Sequence, residues 1–429
     1  MKYKQIDNSL FISNRQNYNK LLKNNAIAIF NSNDEFPRSG DQNFLFKQNS
    51  DLFYLSGIDQ EQSILLLYPD CPNPLYREVL FLRQTNDYIK VWEGHKYTKE
   101  QARDVSGIKN IFWLDDFQNI LHSIVHYADY IYLNTNENDR YAHSVTYRDI
   151  RFIDELRSKY PLHKYERSAP IMRELRAIKS EIEVQLTQKA CDITEDAFYR
   201  VLKFVKPGVM EYEIEAEIIH EFIKQRATGH GYTPIIAAAN NANILHYTDN
   251  NQKCEDGDLI LMDFGAEYAN YNADLTRTIP ANGKFSARQK EVYNSVLRVM
   301  SESKKLMVAG AIWNTYHEQV GEIMTEELIK LKLISTTDVK NQNPSYPAYK
   351  KYFMHGTSHH LGIDVHDFAG RYTPFASGNI LTCEPGIYIP EEGFGVRLEN
   401  DILLTDGGNI DLTAKIPIIA EEIEEIMNS

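Results

Sequence analysis

An apolar run that ends on a carboxylate is the strongest constraint on how this chain can fold. In DLILMDFGAEYANYNADLTRTIP the spacing predicts a hairpin, with Leu259 to Asp263 and Ala273 to Ile279 as strands and AEYANYN around the turn. That pairing sets Asp263 and Asp274 side by side. A carboxylate inside a run such as LILMD is costly to bury unless something neutralises it. A metal ion is the strongest neutraliser; a salt-bridged structural aspartate is the alternative.

Further along, HGTSHH places His355 and His359 four residues apart, and GNILTCEPG ends an apolar run on Glu384, locked by Pro385 and Gly386. In VRLEND, Arg397 and Glu399 are two apart, so on a strand they share one face. Asp263, Asp274, His359, Glu384 and Glu399 together offer hard oxygen with one imidazole, a set that suits manganese, cobalt, iron or zinc better than a thiolate-bound metal. The charge count favours two ions. Four carboxylates carry −4, two divalent cations supply +4, and the neutral cluster can be buried. A water between two close cations loses its proton readily, which makes hydrolysis the natural chemistry.

The rest of the chain divides by pattern. At 429 residues it exceeds the usual single domain, and the clearest change lies near residues 165 to 180. Before it, AIAIF, SILLLYP, EVLFLR and DYIYLN alternate with polar stretches, the rhythm of an α/β layer domain. After it, SEIEVQLTQKACDITEDAFYRVLKFVKPG reads as an amphipathic helix capped by Ser180 and stopped at Pro207 and Gly208. MEYEIEAEIIHEFIKQRATG reads as a second helix ended by Gly229, and 286 to 308 with 314 to 333 as a further pair. Strand-like runs follow in DLILMDFG, DLTRTIP, NILTCEPGIYI and FGVRLENDILLT. The expected architecture is an α/β N-terminal domain over 1–170 and an α+β catalytic domain over 171–429.

Charge and cysteine usage narrow the partners. A formal charge of −14 without a Lys/Arg stripe argues against nucleic acid. Cys71, Cys191, Cys254 and Cys383 are too scattered for a zinc ribbon or a disulfide framework, and no run approaches a membrane span or a signal peptide. The expectation is a cytoplasmic protein with no membrane partner.

The ordered motifs LHYTDN, DFGAEYANYNADLTRTIP, MHGTSHHLGIDVHD, LTCEPGIYI and FGVRLENDI resemble the pita-bread catalytic domain of Xaa-Pro aminopeptidases, from about residue 170 to the C-terminus. The resemblance implies a metal-dependent exopeptidase that releases the N-terminal residue from peptides with proline at position two. It implies that Asp263 binds one metal, that Asp274 and Glu399 bridge both, and that His359 and Glu384 hold the second. It further implies that His246, His355 and His366 line the substrate pocket, that Glu384 accepts a proton, and that Arg397 orients neighbouring carboxylates. Two divalent ions are expected, manganese foremost, with cobalt, iron or zinc as alternatives, in a homodimer or homotetramer. Tyr232, Tyr388 and His366 are candidates for the wall of a proline pocket.

The N-terminal half is similar to the aminopeptidase P group more loosely, through PRSGDQNFLFKQNSDLFYLSGIDQEQSILLLYP, REVLFLR and VWEGH. Such a domain would narrow the cleft and help build an oligomer, while Phe53 and Tyr54 read as ordinary core. His220, His230, His317, His360 and Cys383 read as structural. A prolidase, restricted to Xaa-Pro dipeptides, is the nearest alternative; a metal-free binding scaffold is the remote one, since it would have no need of a full ligand set.

Overall fold

The computed structural model describes every residue except 1–2, 141–143, 368 and 371. The chain forms two compact units, residues 3–175 and 176–429.

The first unit is built on one six-stranded sheet. Its strands are β1 (Ala26–Asn31), β2 (Ile64–Leu67), β3 (Glu78–Leu82), β4 (Asn110–Trp113), β5 (Tyr130–Leu133) and β6 (Lys164–Arg167), in the order β4-β3-β2-β1-β5-β6. β1 pairs antiparallel with β2 and parallel with β5. Every residue of AIAIFN is buried, as expected of a strand covered on both faces. On one face Ile27 and Ile29 pack in a cluster with Phe117, Leu121, Phe152 and Leu156 from two helices. On the other, Phe30 meets Tyr18 edge to face at 5.2 Å. Phe53 and Tyr54 are core residues of helix Ser50–Ser56, 0 % and 3 % exposed. That helix is capped by the Asn49 side chain and ended by Gly57 at φ +67°, where a Cβ would lie 2.3 Å from the Phe11 ring.

The second unit opens with helix Glu181–Phe204, whose N-cap Ser180 and Glu183 form the reciprocal capping box. Helix Glu211–Lys224 packs beside it. This second helix ends earlier than its sequence suggests. Arg226 turns into the left-handed region at φ +71° and the Ala227 amide closes on Phe222, so Gly229 is free to start the short strand Gly229–His230 instead. Helices Ala287–Leu306, capped by Ser286, and Trp313–Lys330 form the other pair.

Between and after the helices run β7 (Ile235–Ala238), β8 (Leu259–Phe264), β9 (Ala266–Tyr268), β10 (Tyr271–Asn272), β11 (Leu275–Pro280), β12 (Ile380–Cys383), β13 (Gly386–Ile389), β14 (Phe394–Arg397), β15 (Asn400–Thr405) and β16 (Gly408–Asp411). They form the sheets β7-β8-β11 and β12-β15-β16 and the pair β13-β14, all antiparallel. The α/β and α+β expectations hold. The expected turn AEYANYN contains structure of its own: β9 and β10 form a small hairpin whose tip, Ala269 and Asn270, takes positive φ. Gly265 makes the step between the two hairpins, since a Cβ there would lie 1.8 Å from the Ala273 carbonyl oxygen. Asp274 therefore falls just outside the β8-β11 ladder, in which Asp263 faces Thr276. Among the described residues no helix is long and apolar enough to cross a membrane.

Candidate active site

The β8-β11 ladder and the segment after β14 converge on Thr276. Its backbone bridges to Glu399, whose amide donates to the Thr276 carbonyl at 3.1 Å. Its hydroxyl donates to Glu399 Oε2 at 2.6 Å and accepts from Arg397 Nε at 3.2 Å. Arg397 and Glu399 thus meet on one side, as their spacing predicts. Arg397 Nη2 also reaches Asp263 Oδ2 at 2.5 Å.

Asp263 and Asp274 are tied by Tyr232, whose hydroxyl lies 2.6 Å from Asp263 Oδ1 and 2.5 Å from Asp274 Oδ1. The HGTSHH segment is a loop laid against β12. The His359 amide donates to Thr382 Oγ1 at 3.0 Å, and the Glu384 amide to the Thr357 carbonyl at 2.8 Å. His359 Nδ1 lies 3.0 Å from the His360 carbonyl. A proton on Nδ1 satisfies that carbonyl and leaves Nε2 as the ligating atom, 3.3 Å from Asp274 Oδ2 and 3.8 Å from Glu384 Oε1.

Asp274, His359 and Glu399 bring one donor atom each to within 4.8 Å of one another, and all three are buried. Asp263 and Glu384 flank them. The neighbouring cations are Arg397 and, when protonated, His359, so four carboxylates share too little positive charge. Burial accordingly raises Asp263, pushes Glu384 up to about 7 and lifts Glu399 well above the carboxylate range, with the neighbouring acids adding to each shift. Burial opposes charge on His359, yet its hydrogen bond to Asp274 and the charge of Glu384 prevail and bring it to about 9. Divalent cations relieve this crowding better than protons do, so the donor set and its electrostatics fit a metal centre.

Beside the acids runs a hydrogen-bond chain from Arg397 through Tyr388 to His355. His355 is held at about 3, first by burial and then by Arg397. With Nδ1–H donating to the Gly356 carbonyl at 2.7 Å, its Nε2 accepts from the Tyr388 hydroxyl at 2.7 Å, which accepts from Arg397 Nη1 at 3.0 Å. His355 Nδ1 lies 3.6 Å from Glu384 Oε2. The His366 ring stands edge to face with His359 at 4.4 Å, whereas His246 sits on an exposed loop.

Tyr388, a candidate for the pocket wall, is fully buried and hydrogen-bonds His355 and Arg397. Tyr232, read as a candidate pocket wall, bridges two of the acids instead, and the hydroxyls of Thr276 and Thr382 have no signal in the sequence beyond lying near the acids. Among the histidines read as structural, His360 stacks on Trp313 at 5.8 Å, His317 Nδ1 accepts from the Thr357 amide at 3.3 Å, and His230 packs on Phe222 at 5.0 Å. Cys383 is buried with Sγ 3.9 Å from the Met300 carbonyl, as a packing residue.

Residues 185–406 match the model of metallopeptidase family M24, and residues 11–132 that of the aminopeptidase P N-terminal domain. The chain belongs to metallopeptidase family M24. It is therefore a metal-dependent hydrolase, and the second unit carries the pita-bread catalytic fold. A Haemophilus influenzae Xaa-Pro aminopeptidase is 33% identical over 95% of this chain and 94% of its own length. Aminopeptidase PepP of Pseudomonas aeruginosa superposes with a TM-score of 0.90 at 31% identity, covering 99% of this chain and 98% of its own. A zinc-substituted Escherichia coli aminopeptidase P in complex with product superposes with a TM-score of 0.88 at 30% identity and 99% coverage of both chains.

Proposed function

We propose that this M24 enzyme releases the N-terminal residue from peptides with proline at position two, with two divalent cations held by Asp263, Asp274, His359, Glu384 and Glu399. The observation that carries this reading is the compact trio of Asp274, His359 and Glu399 donors, flanked by two further carboxylates and short of positive charge. Asp274, His359 and Glu399 would hold the ions at the centre of the cluster, with Asp263 and Glu384 completing the set. Bound there, divalent cations supply Lewis acidity and lower the pKa of water. Manganese heads the candidates on ligand chemistry, and the zinc-substituted relative supports a centre that accepts more than one divalent ion.

The chain's own residues do the rest. Arg397 fixes Asp263 and Thr276 fixes Glu399, so both carboxylates are oriented before substrate arrives. Glu384, at about 7, can take a proton from the attacking water and return it near neutral pH. His355, neutral and aligned by Tyr388, faces Glu384, while His366 and His246 offer imidazole contacts to the peptide. A free α-ammonium is attracted to the acidic cluster, which favours attack next to the N-terminus. The imide nitrogen before proline carries no N–H, so the ring must be recognised by shape. The likeness to the H. influenzae Xaa-Pro aminopeptidase supports that specificity. The four free, buried cysteines suit a reducing cytoplasm, and resemblance of the N-terminal domain supports a homodimer or homotetramer.

The test compares a Xaa-Pro-Xaa tripeptide with a Xaa-Pro dipeptide after chelator stripping and manganese restoration. Metal-dependent tripeptide cleavage is the expected result. Cleavage of the dipeptide alone would make the enzyme a prolidase, and cleavage of neither would return the scaffold reading.

A further inference from the structure

A buried carboxylate with no part in the chemistry above holds both ends of the loop that carries His246. Glu211, the first residue of helix Glu211–Lys224, is 0 % exposed. Its Oε1 accepts from the Ala238 amide at 2.7 Å and from Asn241 Nδ2 at 3.2 Å. Its Oε2 accepts from the Tyr247 hydroxyl and the Gln252 amide, each at 2.7 Å. These four donors are neutral, and the helix N-terminus adds favourable potential, which together offset the cost of burying the charge.

The donors lie on both sides of His246. Ala238 and Asn241 precede it, Tyr247 adjoins it and Gln252 follows it, while the Glu211 amide returns a bond to the Gln252 carbonyl at 2.9 Å. The loop is thus tied down at three places, and residues of it, with His246 among them, line a surface cavity of about 360 Å³. The Tyr247 ring packs in one apolar cluster with Ala242, Leu261 and Tyr388. Tyr388 is the residue that aligns His355. One carboxylate therefore sets the loop bearing one histidine against the ring that orients another.

We propose that Glu211 is a positioning residue for His246, and that its carboxylate fixes the 244–252 loop for contact with the peptide substrate. This rests on the reading of His246 as a substrate-pocket residue. The Glu211 carboxylate bonds to the 238–252 segment and to none of the clustered acids, so replacing it should leave the metal site in place. Glu211→Gln keeps size and shape but sets an amide N–H against a backbone N–H, whereas Tyr247→Phe removes one hydroxyl and keeps the ring.

The experiment measures hydrogen exchange across 244–252, metal content, and kcat and KM on a Xaa-Pro-Xaa tripeptide, in manganese-restored full-length protein. Glu211→Gln and Tyr247→Phe should speed exchange in 244–252 while leaving helix 181–204 protected and metal content unchanged. Glu211→Gln should lower kcat/KM roughly tenfold in the wild-type background and less than about twofold in a His246→Ala background, because the two residues act as a unit. An equal loss in both backgrounds would overturn the proposal by showing a general structural role. So would unchanged exchange in 244–252 in Tyr247→Phe, the variant that decides the matter if Glu211→Gln does not fold. An inactive wild-type enzyme would defeat the functional reading, and exchange in 244–252 would still decide whether Glu211 holds the loop.

Discussion

The sheet of the first unit and the acid cluster of the second bury charge in opposite ways. Among the described residues of 3–175 each buried acid meets a neutral or cationic partner: Asp51 accepts from Asn134 at 2.9 Å, Asp149 accepts from Asn31 at 2.8 Å, and Glu61 meets Lys96. In residues 176–429 four carboxylates crowd one another around His359 and Arg397. The first arrangement satisfies polar groups so that a sheet can be covered on both faces. The second leaves a deficit of positive charge, which fits a metal centre. Isolated, amide-paired acids serve the fold; crowded acids with too few partners mark the chemistry.

The comparison breaks most visibly at Glu399. Glu399→Ala should reduce tripeptide cleavage by more than about 100-fold and lower the metal content, measured by activity and elemental analysis, with the melting temperature of the manganese-free protein little changed. Full activity with metal stripped would mean that the crowded acids are structural after all. The first unit should respond conversely. Ile27→Ala, in the centre of a fully buried strand, should cost about 2–5 kcal/mol of stability in denaturant unfolding while metal content stays constant.

Asp149 sharpens the contrast through pH. Burial raises it to about 7, against partial relief from Asn31, and an unfolded aspartate titrates near 3.9. Between those values the native state holds more protons than the unfolded one, so stability falls as pH rises through the window. The loss from pH 5 to pH 7 is at most about 2.7 kcal/mol. Asp149→Asn should abolish that slope, so its gain in melting temperature over the wild type should grow from pH 5 to pH 8; a constant difference would show that Asp149 is ionised throughout. The smallest effect concerns the hydrogen-bond chain. Tyr388→Phe separates Arg397 from His355 and should lower kcat roughly tenfold, with metal content unchanged.

Much of this was legible in the sequence because the signals are local. Ser180 caps the helix it was expected to cap, and the helix expected from 286 starts there, since a helix start is a matter of a few consecutive residues. The strands AIAIF and LILMD follow from their apolar runs, and the position of Asp263 at the end of one already implied a neutraliser. The helix end at Arg226 was missed in favour of Gly229 because a left-handed arginine has no compositional signature. The small β9-β10 hairpin was hidden for a similar reason: AEYANYN carries neither Asn-Gly nor Asp-Gly, and its turn forms at Ala269 and Asn270.

By itself, then, the sequence determined which residue types are available to a metal and in what order the strands and helices that carry them arise, because both depend on short-range pattern. Tertiary structure alone decided which of them meet. Thr276 joins Glu399 and Arg397 only because β11 passes beside the segment after β14, Tyr232 links Asp263 to Asp274 across more than thirty residues, and Glu211 grips a loop as far away as Gln252. Such contacts form when packing brings distant segments together and every buried polar group must find a partner, a requirement that acts on the folded chain and leaves no trace in any one stretch of it.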